Sequence, residues 1–221
     1  MDPGIGGTGT TEPRGLSFVR FGTPDARGRR ALRTYFVPLD RDGTRIDAPE
    51  GPDHDPLVAD HVLVYDTSFD AHDHLRVHRR NTSANNAPSS WFVMVDASRQ
   101  HGEGMVSIVA FDTDHFPDGT IIDEMEFVMV DVVNERQTGA LIWSRLDGLI
   151  SQIYVAPEHR RSEIGRYILV AASALHHSHD WPGLIHADGR RTTLGQAFVS
   201  TYSMAHRAAR HSELSPPMDP A

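Results

Sequence analysis

The chain has 221 residues, 39% of them hydrophobic and 23% charged, so it is long enough for one substantial core and short for two. Its formal net charge of −9 argues against general binding to DNA, RNA or anionic membranes, which requires a basic surface. The absence of cysteine excludes disulfides, cysteine-ligated metals and thiol nucleophiles, and all 21 Lys/Arg positions are arginine.

The sequence predicts neither a membrane span nor an N-terminal signal peptide. No run approaches the roughly 20 apolar residues of a membrane span. The N-terminal stretch MDPGIGGTGTTEPRG lacks the basic and apolar regions of a signal peptide. We therefore expect a cytoplasmic protein with disordered tails at 1–15 and 211–221, and a single domain over 16–210 with a polar insert at about 40–90.

The N-terminal half has weak secondary-structure signals. The residue pattern predicts a strand at Leu16–Phe21, a short helix at Arg27–Phe36 that starts after Thr23-Pro24-Asp25, and a short strand at Asp60–Asp66. The acidic segment 40–60 and the polar segment 79–90 are typical of loops.

The C-terminal half has stronger signals. It predicts strands at 91–97, 105–111, 126–133, 140–145, 149–156 and 184–186. It also predicts a helix at Glu163–Ser178, whose apolar residues share one face, and a second helix at Leu194–Arg210. Strands come first and a strand–helix–strand–helix order follows, which indicates an α/β or α+β domain.

The most informative stretch is residues 153–166, IYVAPEHRRSEIGR. A strand ends at Pro157, an arginine-rich turn follows, and a helix begins directly after it. The free N–H groups of a helix start bind anions, and the helix dipole adds to the attraction. Arg160, Arg161 and Arg166 add positive charge, so the pattern favours a pyrophosphate site.

This stretch resembles motif A of the GNAT N-acetyltransferase superfamily, written V-x-P-x-x-R-G-x-G-I-G. The matching residues are Val155, Pro157, Arg160, Ile164 and Gly165. Arg161 and Glu163 stand where the family has glycine, and glycine permits a positive φ and close approach of the cofactor. The resemblance implies a mixed, mostly antiparallel sheet flanked by helices, which we expect to be truncated at its C-terminal end.

The resemblance also implies that acetyl-CoA, or another acyl-CoA, is a co-substrate. The backbone groups of Ile153 and Val155 would then pair with the pantetheine arm. The pyrophosphate would lie among the residues of the following turn, which are Arg160, Arg161, Ser162, Glu163, Ile164, Gly165 and Arg166.

Acyl transfer to an amine requires a base for the amine proton and an acid for the departing thiolate. The resemblance places an acid near Tyr202, although a helix tyrosine also packs in many cores. The strand lacks the family's glutamate and carries Ser151 and Gln152 instead. Ser151, acting through water, and Glu126 are the base candidates, with Glu124 and Asp147 as further carboxylates. His186 is expected to face the acceptor.

Three functions remain open at this point. The first is acyl-CoA-dependent N-acyltransfer, most simply of acetyl, to an amine of a small molecule or protein, in a chain that forms no membrane or nucleic-acid contact and is a candidate homodimer. The second is a catalytically degenerate module that binds CoA or a protein. The third is a metal enzyme using the histidines at 176–186 and 72–74, although the adjacent His176 and His177 diverge on a helix.

Overall fold

The computed structural model describes residues 15–22, 24–38, 62–80, 83–188, 190–191 and 213–214. The strands of these residues are β1 (Gly15–Phe21), β2 (Leu32–Pro38), β3 (Val62–Phe69), β4 (Leu75–Arg79), β5 (Trp91–Asp96), β6 (Met105–Phe111), β7 (Thr120–Asp123), β8 (Gln137–Ser144), β9 (Leu149–Val155), β10 (His186–Ala187), β11 (Arg190–Arg191) and β12 (Glu213–Leu214). The helices are α1 (Ser98–His101), α2 (Glu124–Phe127) and α3 (Ile164–Ser178).

Ten of these strands form one sheet in the order β1-β2-β3-β4-β7-β5-β6-β8-β9-β10. Its pairs are antiparallel except β5 with β7 and β9 with β10, which are parallel. β11 and β12 pair separately, in parallel. The expected fold class, a mixed and mostly antiparallel sheet with helices, is confirmed.

The sheet carries an apolar cluster on each face. The larger cluster lies under α3 and includes Phe92, Ile108, Leu141, Trp143 and Ile168. The smaller cluster lies on the opposite face and consists of Trp91, Val93, Phe111 and Ile122, with Phe127 packed against it. Alternate residues of one strand point to opposite faces, which is why Phe92 belongs to one cluster and its neighbours to the other.

The helix predicted at Arg27–Phe36 is wrong, because the first half of that range is a turn and the second half belongs to β2. The side chain of Asp25 does not start a helix. Its Oδ1 accepts hydrogen bonds from the amides of Arg27 and Arg29, both at 2.9 Å, and so closes a hairpin turn between β1 and β2. The Arg29 guanidinium also holds the pKa of Asp25 below its ordinary value. An Asp side chain that accepts hydrogen bonds from the amides of a turn is no longer available to cap a helix.

The strand predicted at 126–133 is also wrong. The strand in this region is β7, which lies earlier, at residues 120–123, between β4 and β5 in the sheet. It ends at Asp123, before the predicted range begins. The Asp123 side chain accepts a hydrogen bond from the Glu126 amide at 2.8 Å and caps α2. The apolar run that follows therefore lies outside the sheet.

Most other predicted elements are present. The strand expected at 60–66 overlaps β3, whereas the strand expected at 184–186 overlaps β10 only at His186. The strands expected at 16–21, 91–97, 105–111, 140–145 and 149–156 are β1, β5, β6, β8 and β9, and the helix expected at 163–178 is α3. The expected insert at 40–90 contains β3 and β4, which are part of the sheet. The second late helix at 194–210 and most of both tails lie outside the described residues.

A buried polar network ties α3 to the loop before β7. The Tyr167 hydroxyl donates to Asp118 Oδ1 at 3.0 Å, and Arg79 Nη2 meets Asp118 Oδ2 at 2.7 Å. The Arg79 guanidinium also lies over the Tyr167 ring, 4.1 Å from its centroid. Burial, together with the Asp118 charge, raises the pKa of Tyr167 far above its ordinary value, so the hydroxyl keeps its proton.

In the described part of the chain, no helix is long and apolar enough to cross a bilayer.

We expect Gly119→Ala to destabilise the protein strongly. Gly119 has φ +80°, and a Cβ there would collide with the Val77 carbonyl and meet the Tyr167 hydroxyl at 3.0 Å. The left-handed conformation and the clash together should cost about 3 kcal/mol of unfolding free energy, measured by urea titration.

The matched control is Gly28→Ala. Gly28 has φ +77°, but a Cβ added there would have nothing within 4 Å, so only the backbone term of about 1 kcal/mol is expected. Equal losses in the two variants would show that the contact with Val77 and Tyr167 is unimportant.

Candidate functional site

Strand β9 contains a bulge at Ser151. Opposite β8, Ile142 pairs with Gln152 while Trp143 pairs with Ile150, so Ser151 is the extra residue. The side chains confirm this change of alternation, because Ile150, Ile153 and Val155 all pack toward α3 although three positions separate the first two. A bulge shifts the alternation of a strand by one residue.

The bulge decides which backbone groups point away from β8. The Ala156 amide bonds to the Thr138 carbonyl at 3.0 Å, toward β8. In an antiparallel ladder, alternate residues direct both backbone groups to opposite edges. The groups of Ile153 and Val155 therefore point to the other edge of β9.

That other edge is open over the last part of β9. Among the described residues, β10 is the strand on this side, and it pairs with Leu149 and Ile150 and no further. The two strands are joined at their start, where the His186 amide donates to the Gly148 carbonyl at 3.0 Å. Beyond Ile150, no described strand pairs with this edge of β9, so the edge at Ile153 and Val155 is unpaired among the described residues.

The turn after β9 adopts the backbone conformation of a glycine-rich loop without the glycines. A 3-10 turn at Pro157–His159 ends the strand direction. Arg161 and Glu163 then take positive φ values of 64° and 65°. These are two of the three positions at which the resembling motif has glycine, the third being Gly165. A non-glycine residue costs about 1–2 kcal/mol in this conformation, so the chain forms this turn at an energetic cost.

The same turn presents a run of free amides. The N–H groups of residues 161–165 donate to no acceptor in the described part of the chain, whereas the amides of Arg160 and Arg166 do, to Pro157 and Glu163. These five amides lie at the start of α3, where the helix dipole is positive. Consecutive amides around left-handed residues form a concave site for anions.

The charged side chains near the turn are partly engaged with one another. Arg166 Nη1 forms an ion pair with the Glu163 carboxylate. Arg160 Nε donates to the Val155 carbonyl at 3.2 Å, so one of the outward backbone groups of β9 already has a partner. Arg161 is exposed, and the Ser162 hydroxyl donates to the His159 carbonyl.

Two predicted site residues lie beside the open edge. Ser151 is exposed in the bulge. His186 pairs with Leu149, and because its neighbour Ile185 is buried in the cluster under α3, His186 points to the opposite face. Its Nδ1–H donates to the Leu184 carbonyl at 2.8 Å, so Nε2 is the ring nitrogen left for another partner.

The structure places Glu126 elsewhere. It lies on α2, and its Oε2 is 2.7 Å from Nε2 of His74, whose Nδ1 is 2.9 Å from Asp70. Four strand spacings separate β7 from β9, or roughly 19 Å, so Glu126 is not brought to the open edge. Tyr202 lies outside the described residues.

The histidines at the end of α3 are packed rather than gathered around a point. His176 is buried, its Nδ1 accepts from Trp143 Nε1 at 3.1 Å, and its Nε2–H donates to the Pro182 carbonyl at 3.1 Å. His179 stacks on Trp181 at 4.7 Å. Across the residues that the structure describes, no three His, Asp or Glu side chains form a group able to hold a metal ion.

Two features of the site had no readable sequence signal. The bulge at Ser151 arises from a register change with β8, and the short pairing of β9 with β10 joins residues more than thirty positions apart. Arg and Glu rarely adopt a positive φ, so the residue types at positions 161 and 163 do not predict this conformation. Only the resemblance, which has glycine at both positions, indicated it. The order of residues alone indicated the turn and the helix start.

Comparison of the chain with models of known protein families, with curated proteins and with solved structures gives no match.

Burial should make the protein less stable in mild acid. Burial is the main cause that lowers the pKa values of His176, His78 and His179 below 6.5. Below about pH 6.5 the unfolded chain binds protons that the native state refuses, so unfolding free energy falls as pH decreases from 7 toward 5.5. Urea titrations across this range should give a shallower pH slope for His176→Gln than for the natural sequence.

His101→Gln is the matched control, because His101 is exposed at the end of α1. It should keep the natural slope. An unchanged slope in His176→Gln would contradict the assignment of His176 as a proton-excluding core residue.

Proposed function

We propose that this chain binds an acyl-CoA, most simply acetyl-CoA, at the open edge of β9 and transfers the acyl group to an amine, as a GNAT-like N-acyltransferase. One observation carries the proposal: the open edge at Ile153 and Val155 leads directly into five free amides at the start of α3. An extended chain that ends in a phosphate group matches this arrangement of donors and acceptors.

Each part of acyl-CoA has a partner in this arrangement. The amide groups of the pantetheine arm would pair with β9 as an added strand does. The pyrophosphate would accept hydrogen bonds from the amides of 161–165 and gain from the α3 dipole. Arg160 would have to release the Val155 carbonyl, and its guanidinium would then be available to the phosphates.

Transfer itself requires the amine nitrogen to attack the thioester carbonyl. The C–S bond breaks, an amide forms, and CoA leaves as a thiolate that takes up a proton. His186 is the base that we favour among the described residues, because its Nδ1 is bonded to the Leu184 carbonyl and its Nε2 is left to accept a proton where β10 pairs with β9. Ser151 would hold a water in the bulge, and Tyr202 remains the proposed acid.

The amine acceptor belongs to an unassigned small molecule or protein. The acidic chain, with its net charge of −9, favours a cationic acceptor. Use of acyl-CoA is consistent with the cytoplasmic location expected from the sequence.

A second function, a degenerate module that binds CoA or a protein without turnover, is favoured by one specific observation. Glu163 belongs to the turn of free amides and pairs with Arg166, so its negative charge would oppose a phosphate bound there. The lack of a carboxylate on β9 to act as a base agrees with this function.

Acetyl-CoA binding should depend on the residue at position 163. In isothermal titration calorimetry we expect affinity to rise from the natural Glu163 through Glu163→Ala to Glu163→Gly. The alanine variant removes the carboxylate, and the glycine variant also removes the strain of the positive φ. A gain of about tenfold for Glu163→Gly corresponds to about 1.4 kcal/mol.

Amide hydrogen exchange provides the control for the location of binding. Ile153 and Val155 should gain protection with acetyl-CoA, whereas Tyr154, which is directed toward β8, should change little. No binding by any of the three proteins, or protection elsewhere, would refute the proposed cofactor site.

Turnover separates the two functions. For an acyltransferase, His186→Gln should reduce kcat in an amine-acceptor screen by about a hundredfold or more, while acetyl-CoA affinity stays within about twofold. Tyr202→Phe should behave in the same way. Binding without turnover in the natural chain and in Glu163→Gly would favour the degenerate module.

A further inference from the structure

The segment that follows β7 is apolar on two sides. On its inner side, the ring centroid of Phe127 lies 5.3 Å from that of Phe111 and 6.3 Å from that of Trp91. Val130 and Val132 pack against the same cluster. The contact of Glu126 with His74 and the cap from Asp123 hold α2 in place. The segment is therefore anchored to the sheet by its inner side.

The outer side carries an apolar patch. Its members are Met125, Val128, Met129 and Val133, whose exposed fractions are 79%, 75%, 85% and 58%. We call this set the outer patch. The first three have the i, i+3, i+4 spacing of one helical face. An amphipathic helix normally has a polar outer face, so a segment apolar on both sides is expected to be covered.

The rim of the outer patch is acidic. Residues 123–136 contain five carboxylates, at positions 123, 124, 126, 131 and 135, against one arginine. That arginine, Arg136, is paired with Asp112 at 2.9 Å. Glu124, Asp131 and Glu135 are exposed around the apolar side chains. The surface thus combines exposed methionines with a negative border.

We propose that the outer patch is a docking site for a cationic amphipathic helix of a partner protein. Methionine side chains adapt to varied apolar surfaces, and an apolar helix face with flanking Lys or Arg complements both features of the patch. The acidic rim opposes the two other occupants. It would repel an anionic membrane, and it would repel a second copy of itself in a symmetric dimer. The proposal does not rest on acyl transfer.

The test uses a fluorescein-labelled helical peptide of about five turns, with leucine at i, i+3, i+4 and i+7 and Lys or Arg elsewhere. We expect micromolar binding by fluorescence anisotropy at about physiological ionic strength, weakened by added salt. The double variant Met125→Ser/Met129→Ser should lose about tenfold in affinity or more. All of these side chains are exposed, so the fold should be kept, as circular dichroism would verify.

Leu146→Ser is the matched control, since Leu146 is 61% exposed in the turn between β8 and β9, away from α2. It should leave peptide affinity unchanged. A peptide with Glu in place of every Lys and Arg should not bind.

Three results would overturn the proposal. They are no binding of the cationic peptide, equal binding by the Met125→Ser/Met129→Ser protein, and equal binding of a scrambled cationic peptide. If the natural chain binds phosphatidylserine vesicles and the double variant does not, the occupant of the outer patch is a membrane. If the natural chain dimerises and the double variant does not, the occupant is a second copy of the chain.

Discussion

The ladder between β8 and β9 is the constraint on which the candidate site depends. Without the bulge at Ser151, the alternation that sends the Ile150 backbone toward β10 would continue to Gln152 and Tyr154. With it, Ile153 and Val155 direct their groups to the open edge while their side chains pack under α3. One extra residue therefore satisfies two demands, since the side chains of Ile153 and Val155 face the helix while their backbone groups point away from β8.

Helix α3 makes the turn before it rigid. Thirteen of its fifteen residues are buried, and a buried aliphatic side chain contributes about 1.5–3 kcal/mol, so its position leaves little freedom for the loop. The network of Tyr167, Asp118 and Arg79 adds a polar tie between α3 and the loop that leads into β7. With β9 and α3 both fixed, the connection must close through Arg161 and Glu163 in left-handed conformations. Such strain persists where surrounding packing determines the backbone, and it is common at functional sites.

The two faces of the sheet carry different apolar clusters and different proposed sites. One face is covered by α3 and carries the larger core, with the proposed anion site in the turn at the start of the helix. The other face carries the cluster around Trp91, covered by α2 and the loop that contains Phe116. Because α2 is only one turn long, it covers that cluster with Phe127 and leaves the next apolar residues in solvent. The proposed catalytic site and the proposed docking surface are therefore some four strands apart, and each can be altered without disturbing the other.

The sequence alone determined the elements whose signals are local. Alternation in Trp91–Asp96 and Met105–Phe111 specified strands, and the apolar face of 164–178 specified a buried helix after a proline-terminated strand. It also indicated an anion site at the start of that helix, because that property follows from helix geometry. The tertiary structure decided what depends on distant pairing. Because β7 lies between β4 and β5, the residues after it form α2 and not the predicted strand. Because β2 pairs with β1 in a hairpin, residues 32–38 form a strand and not the predicted helix. Register with β8 created the bulge, and the short pairing with β10 opened the edge. Local propensity carries no information on which strand lies beside which, since long-range packing sets that choice.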